Sequence, residues 1–120
     1  MTIKRADLKK ISFKAIATGK RLDPVHPGMI LERDFIEPMA LTHYRVAKLA
    51  GMAQRRLDEI CAGKRGITAD AALRFARVFG TDAQTWMTLQ AQYDLEIAER
   101  KSGNEIERQV TPLAEYGLAA

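Results

Sequence analysis

Thr42-His43-Tyr44-Arg45-Val46-Ala47-Lys48-Leu49-Ala50-Gly51-Met52-Ala53-Gln54-Arg55-Arg56-Leu57-Asp58-Glu59-Ile60-Cys61 is the stretch whose reading decides the fold. Thr42 is a good N-cap for a helix on which Val46, Ala47 and Ala50 share one face, and Gly51 stands where a left-handed C-cap is required. After the Gly51-Met52-Ala53 turn, Leu57, Ile60 and Cys61 repeat at i, i+3, i+4, and Ala62-Gly63 ends the second helix. Two helices of about eight residues on a glycine-containing turn have the dimensions of a helix-turn-helix. Small Ala47 lets the second helix cross the first closely.

The same periodicity says which residues face outward. With Leu57, Ile60 and Cys61 turned inward, Arg55 and Glu59 lie opposite the core, Arg56 and Asp58 flank them, and Gln54 sits at the helix tip. A recognition helix presents its N-terminal residues to base edges in the major groove, where Gln pairs with adenine and Arg with guanine. Gln54, Arg55, Arg56 and Glu59 are therefore the candidate base-contacting residues. Glu59 can accept from a cytosine amino group or hold Arg55 through an i, i+4 pair, and the pairing role is preferred. His43, Arg45 and Lys48 on the first helix, with Lys64 and Arg65 after the second, are the candidate phosphate contacts, which fix register without reading sequence.

Working outward, His26-Pro27-Gly28 opens a helix with proline in its first turn, continues through Ile30, Leu31, Asp34 and Phe35, and stops at Pro38. Thr68 caps a fourth helix with Asp70 in its first turn and Ala69, Ala72, Leu73 and Ala76 expected inward, up to Phe79-Gly80. Thr81 and Gln84 make a capping box for a long fifth helix that ends at Ser102-Gly103. On it Trp86, Gln90, Tyr93 and Ile97 form a stripe, and Trp86, Tyr93 and Ile97 are the candidate dimer interface. Residues 105–110 are ambiguous between a short helix and an extended tail. The expected fold is all-α: residues 23–81 form the helix-turn-helix domain, and residues 82–120 a long helix with a tail.

Composition agrees with one compact domain. The chain has 120 residues, 47% of them apolar and 28% charged, which disfavours wholesale disorder and an enzyme with an interdomain cleft. Its longest uncharged stretch, Ala83 to Tyr93, is too short to span a bilayer. Cys61 is the sole cysteine, so neither an internal disulfide nor a Cys-rich zinc site is available, and no metal or other cofactor is expected. A reducing cytoplasm fits, and the start Met-Thr-Ile-Lys-Arg shows no apolar signal core. Cys61 reads as a small buried apolar residue and His26 as a helix cap. No nucleophile with a base, carboxylate cluster or phosphate loop supports an enzyme.

The net charge of +4 is unevenly spread. Residues 1–22 carry seven bases and one acid, residues 41–66 six bases and two acids, and residues 67–120 five bases and eight acids. The basic arm, bounded by Leu22-Asp23-Pro24, is either an amphipathic helix built on Leu8, Ile11 and Ile16 or a tail that folds on a partner. DNA is the preferred partner, to which a flexible basic arm would add phosphate contacts.

Several strings together resemble the HigA family of antitoxins: His26-Pro27-Gly28, Phe35-Ile36-Glu37-Pro38, Tyr44-Arg45-Val46-Ala47-Lys48, the run from Gly63 to Arg74, and Trp86-Met87-Thr88-Leu89-Gln90 with Tyr93-Asp94-Leu95. The resemblance covers residues 26–113. It implies a five-helix, lambda-repressor-like (Cro/C1-type) fold in a bacterial cytoplasmic protein that dimerises on a palindromic DNA operator. It further implies repression of its own operon and capture of a HigB-like toxin, an mRNA endonuclease. The alternative is a stand-alone repressor without a toxin. Ala53 departs from the family's usual hydroxyl cap, so the second helix of the motif is expected to fray or start late.

Overall fold

The computed structural model describes residues 23–116, and the basic arm of residues 1–22 lies outside them. Among the described residues there are five helices and no strand: α1 Pro27–Leu31, α2 His43–Ala50, α3 Gln54–Cys61, α4 Ala69–Phe79 and α5 Ala83–Gln109, then a short 3₁₀ turn Leu113–Tyr116.

α1 begins as its sequence dictates. The His26 ring Nδ1 accepts the Gly28 N–H at 2.9 Å, and Pro27 takes a position with no hydrogen bond to lose. From Glu32 to Ile36 the helix widens to a π-turn, closed by the Glu37 N–H on the Glu32 carbonyl at 2.9 Å. That turn buries Phe35 and Ile36 together.

The core is a single cluster. Leu31, Phe35, Val46, Leu57, Ile60, Ala71, Phe75 and Trp86 are fully enclosed, so every helix contributes. Phe35 is the hub, its ring 5.3 Å from that of Phe79 and 5.4 Å from that of Trp86.

Three expectations are corrected. Leu73 is 65% exposed, and the inward face of α4 is Ala71, Ala72, Phe75 and Phe79. The two phenylalanines, four residues apart, outweigh one leucine and rotate the helix so that Leu73 falls off the buried stripe. Thr81 does not cap α5. Its hydroxyl accepts the Trp86 indole N–H at 2.8 Å, and Asp82 caps instead. Finally, α5 runs through Ser102-Gly103 to Gln109. A glycine ends a helix only when it turns left-handed; left in helical conformation it costs about 1 kcal/mol, which neighbouring helix formers absorb. The stop comes at Val110, ahead of Thr111-Pro112, where proline disfavours helix in the preceding residue.

Candidate nucleic-acid interface

The helix-turn-helix is built as read. Thr42 Oγ1 accepts the Arg45 N–H at 3.1 Å to start α2, and Gly51, at φ 66°, ends it left-handed. Ala53 offers no side-chain cap, yet α3 still starts at Gln54, because the Ala53 carbonyl accepts from Arg56 N–H at 3.1 Å and Leu57 N–H at 3.3 Å. Packing of Leu57 and Ile60 into the core replaces the missing cap.

What fixes the angle of α3 is a charge network invisible to periodicity. Asp70, in the first turn of α4, accepts from Arg56 Nη1 at 3.0 Å and from Arg74 Nε at 2.9 Å. The other arm of Arg56 donates to Thr68 Oγ1 at 2.8 Å. Arg74 Nη1 donates to the carbonyls of Ala50 at 2.9 Å and Gly51 at 3.0 Å, satisfying the end of α2 at the turn. The sequence marks Asp70 only as a first-turn acid of α4 and gives Arg74 no role; that both reach across to the turn is seen only in the structure. The hydrogen bonds from Arg74 and Arg56, followed by their charges, hold the Asp70 carboxyl below its ordinary pKa. A depressed carboxylate stabilises the fold above its unfolded value and loses that contribution as pH falls through the folded one. Asp70→Asn should therefore lower the thermal midpoint at neutral pH, and the gap to the wild type should close below about pH 4. A gap that persists unchanged at pH 3 would place the network's contribution elsewhere.

Of the four candidate base-contacting residues, Gln54 and Arg55 stand exposed on the first turn of α3. Arg56 is half-buried and committed to Asp70 and Thr68. Glu59 pairs with Arg65 at 2.9 Å, not with Arg55, because the loop after α3 folds back along the helix. Among the candidate phosphate contacts, Arg45, Lys48, Lys64 and Arg65 are exposed, Arg65 within its pair with Glu59. Lys48 Nζ donates to the Tyr44 hydroxyl at 3.0 Å and lies 5.3 Å from the ring centroid, which positions its charge. An open groove of about 670 Å³ runs along Thr42, Tyr44, Arg45 and Lys48. His43 does not join them. Its Nε2 lies 2.6 Å from Glu32 Oε1 and its Nδ1 2.7 Å from Asp58 Oδ1. Burial pulls its pKa down, but the hydrogen bonds and charges of Asp58 and Glu32 outweigh that and raise it above the ordinary histidine value.

The loop after α3 is held from behind. Gln90, buried on α5, accepts the Ile67 N–H at 2.8 Å and donates to Asp94 at 2.9 Å. Lys64 and Arg65 therefore leave the domain from a fixed base. The predicted dimer stripe is divided: Trp86 belongs to the core, Tyr93 is half-buried with its ring 4.8 Å from His26, and Ile97 is 38% exposed.

A glycine-turned helix pair, clamped by Arg74 and presenting an exposed Gln-Arg tip between exposed cations, defines a helix-turn-helix protein of the phage-repressor kind. No family model matches the chain. It is 45% identical over 87 residues to virulence-associated protein I of Dichelobacter nodosus, covering 72% of this chain and 81% of that one. Its structure resembles an addiction-module antidote protein of the HigA family from Coxiella burnetii, at 41% identity and TM-score 0.72, covering 76% of this chain and 99% of that chain. It also resembles the Pseudomonas aeruginosa antitoxin HigA with the higBA promoter, at 37% identity and TM-score 0.73, covering 75% and 98%. The chain belongs to the HigA family of antitoxins.

Proposed function

We propose that the protein binds a palindromic operator as a homodimer, represses its own operon and neutralises a cognate HigB-like mRNA-endonuclease toxin. The observation that carries the DNA reading is the exposed pair Gln54 and Arg55 at the start of a helix whose other charged residues, Arg56, Asp58 and Glu59, are tied to the domain. Two unpaired readers on a rigid helix are what base recognition needs, and Arg45, Lys48 and Lys64 flank them for phosphates. Dimerisation is supported by the second half of α5 and the segment after it, where Leu95, Ile97, Ile106, Val110 and Leu113 are exposed. A dimer spaces two recognition helices about 34 Å apart, one turn of DNA.

Arg55→Ala is expected to weaken operator binding by about 10- to 100-fold, corresponding to the loss of one bidentate base contact, while leaving binding to random DNA at the same salt unchanged. Equal losses on both DNAs would assign Arg55 to the backbone and remove base readout from this residue. Co-expression with a neighbouring toxin-sized reading frame, followed by pull-down, separates an antitoxin from a repressor that acts without a toxin.

A further inference from the structure

Beside the DNA-facing surface lies a cluster that the DNA reading does not use. Glu32 opens the π-turn, His43 is the first residue of α2 and Cys61 is the last of α3. One carboxylate oxygen, one imidazole nitrogen and the sulfur lie within 4.8 Å of one another, on three separate elements, and all three residues are half-buried. We propose that Glu32, His43 and Cys61 form a binding site for a borderline-soft divalent transition metal of the Zn²⁺ class, with water as fourth ligand.

The donor set argues for the class of ion. Thiolate and imidazole with a single carboxylate suit zinc and its neighbours, whereas calcium and magnesium require oxygen ligands. The surroundings supply the outer support that such sites have. Asp58 Oδ1 accepts from His43 Nδ1 at 2.7 Å, which fixes the ring and leaves Nε2 as the coordinating nitrogen. Tetrahedral zinc with bonds of about 2.0 to 2.3 Å holds its ligand atoms roughly 3.3 to 3.7 Å apart. Side-chain rotation therefore has to open the 2.6 Å contact between Nε2 and Glu32 and draw the sulfur in by at most about an ångström. Without metal, burial foremost, with the Glu32 and Asp58 charges, pushes the Cys61 thiol up to about 12, so it is inert. A bound dication reverses that balance and deprotonates the sulfur. Binding releases the Nε2 and Sγ protons to solvent, while Nδ1 keeps its proton on Asp58. The metal would tie the end of α1 to the start of α2 and the end of α3, stapling the motif from behind. This inference is independent of which DNA the protein reads.

Because Cys61 is the sole cysteine of the chain, a sulfur-to-metal signal reports on this site alone. Titrating the untagged full-length protein with Co²⁺ under reducing, thiol-free conditions should produce a thiolate-to-cobalt charge-transfer band that saturates at one equivalent and is displaced by Zn²⁺. Cys61→Ser, which keeps size and fold, should lose the band. Asp58→Asn should retain it but bind Zn²⁺ about 10- to 100-fold more weakly in competition with a chromophoric chelator. A wild type that shows no such band, or a band that survives in Cys61→Ser, overturns the proposal.

Discussion

Gly28→Ala is expected to destabilise the fold severely, against its local propensity. Inside a helix alanine is preferred to glycine by about 1 kcal/mol, so an isolated α1 would gain from the change. In the folded domain a Cβ at this position would sit 1.7 Å from the Ile60 carbonyl oxygen and 2.6 Å from its carbon. Both atoms are backbone of α3, so no side-chain rotation relieves the overlap. α1 and α3 would have to separate, pulling Leu31 and Phe35 away from Leu57 and Ile60. Overpacking costs of 1 to 3 kcal/mol arise where side chains can adjust; here about 3 kcal/mol or more is expected, from a total of about 5 to 15. Urea denaturation followed by circular dichroism measures it, and an unchanged midpoint would mean that the two helices do not approach this closely. The glycine of the His-Pro-Gly string is thus explained by a backbone crossing, with α1 seated against the end of the recognition helix.

Trp86→Ala is expected to cost about 3 to 5 kcal/mol of stability, the range for removing a buried large aromatic. The indole is fully enclosed, 5.4 Å from the Phe35 ring and 5.9 Å from that of Phe75, and its N–H has its partner in Thr81. Loss of the ring leaves a cavity at the junction of the π-turn, α4 and α5. Any change in oligomeric state should therefore accompany unfolding and not precede it. Ile97→Asp is the contrasting variant, since Ile97 is exposed on α5 and away from the core. It should leave the melting of the monomer fold nearly unchanged while light scattering shows a shift toward monomer. A Trp86→Ala protein that stays folded as a monomer would return Trp86 to the interface and contradict its placement.

Much of this protein was determined by its sequence alone. The caps at Thr42 and Thr68, the left-handed glycines Gly51 and Gly80 and the i, i+3, i+4 spacing of Leu57, Ile60 and Cys61 are local signals, and each lies where the structure has it. Local signals depend on residues within one or two turns, so a single chain contains them in full. The exposure of Gln54 and Arg55 was legible for the same reason: a helical wheel fixes directions once one face is known to be buried.

What only the tertiary structure decided are the partners of the charged and amphipathic residues. His43, Arg56 and Arg65 look alike in sequence to Arg45, Lys48 and Lys64, as exposed polar residues in a basic region. Folding brings Glu32 and Asp58 to His43, Asp70 to Arg56 and Glu59 to Arg65 from 11, 15, 14 and 6 residues away, which half-buries His43 and Arg56 and pairs Arg65 while leaving it exposed. The same holds for Trp86, whose stripe on α5 has two sides, and for Leu73, displaced from the inward face by Phe75 and Phe79. A helix wheel carries the angle of each side chain but not the position of the neighbouring helices. Whether a given angle meets core, carboxylate or solvent is set by how the five helices cross.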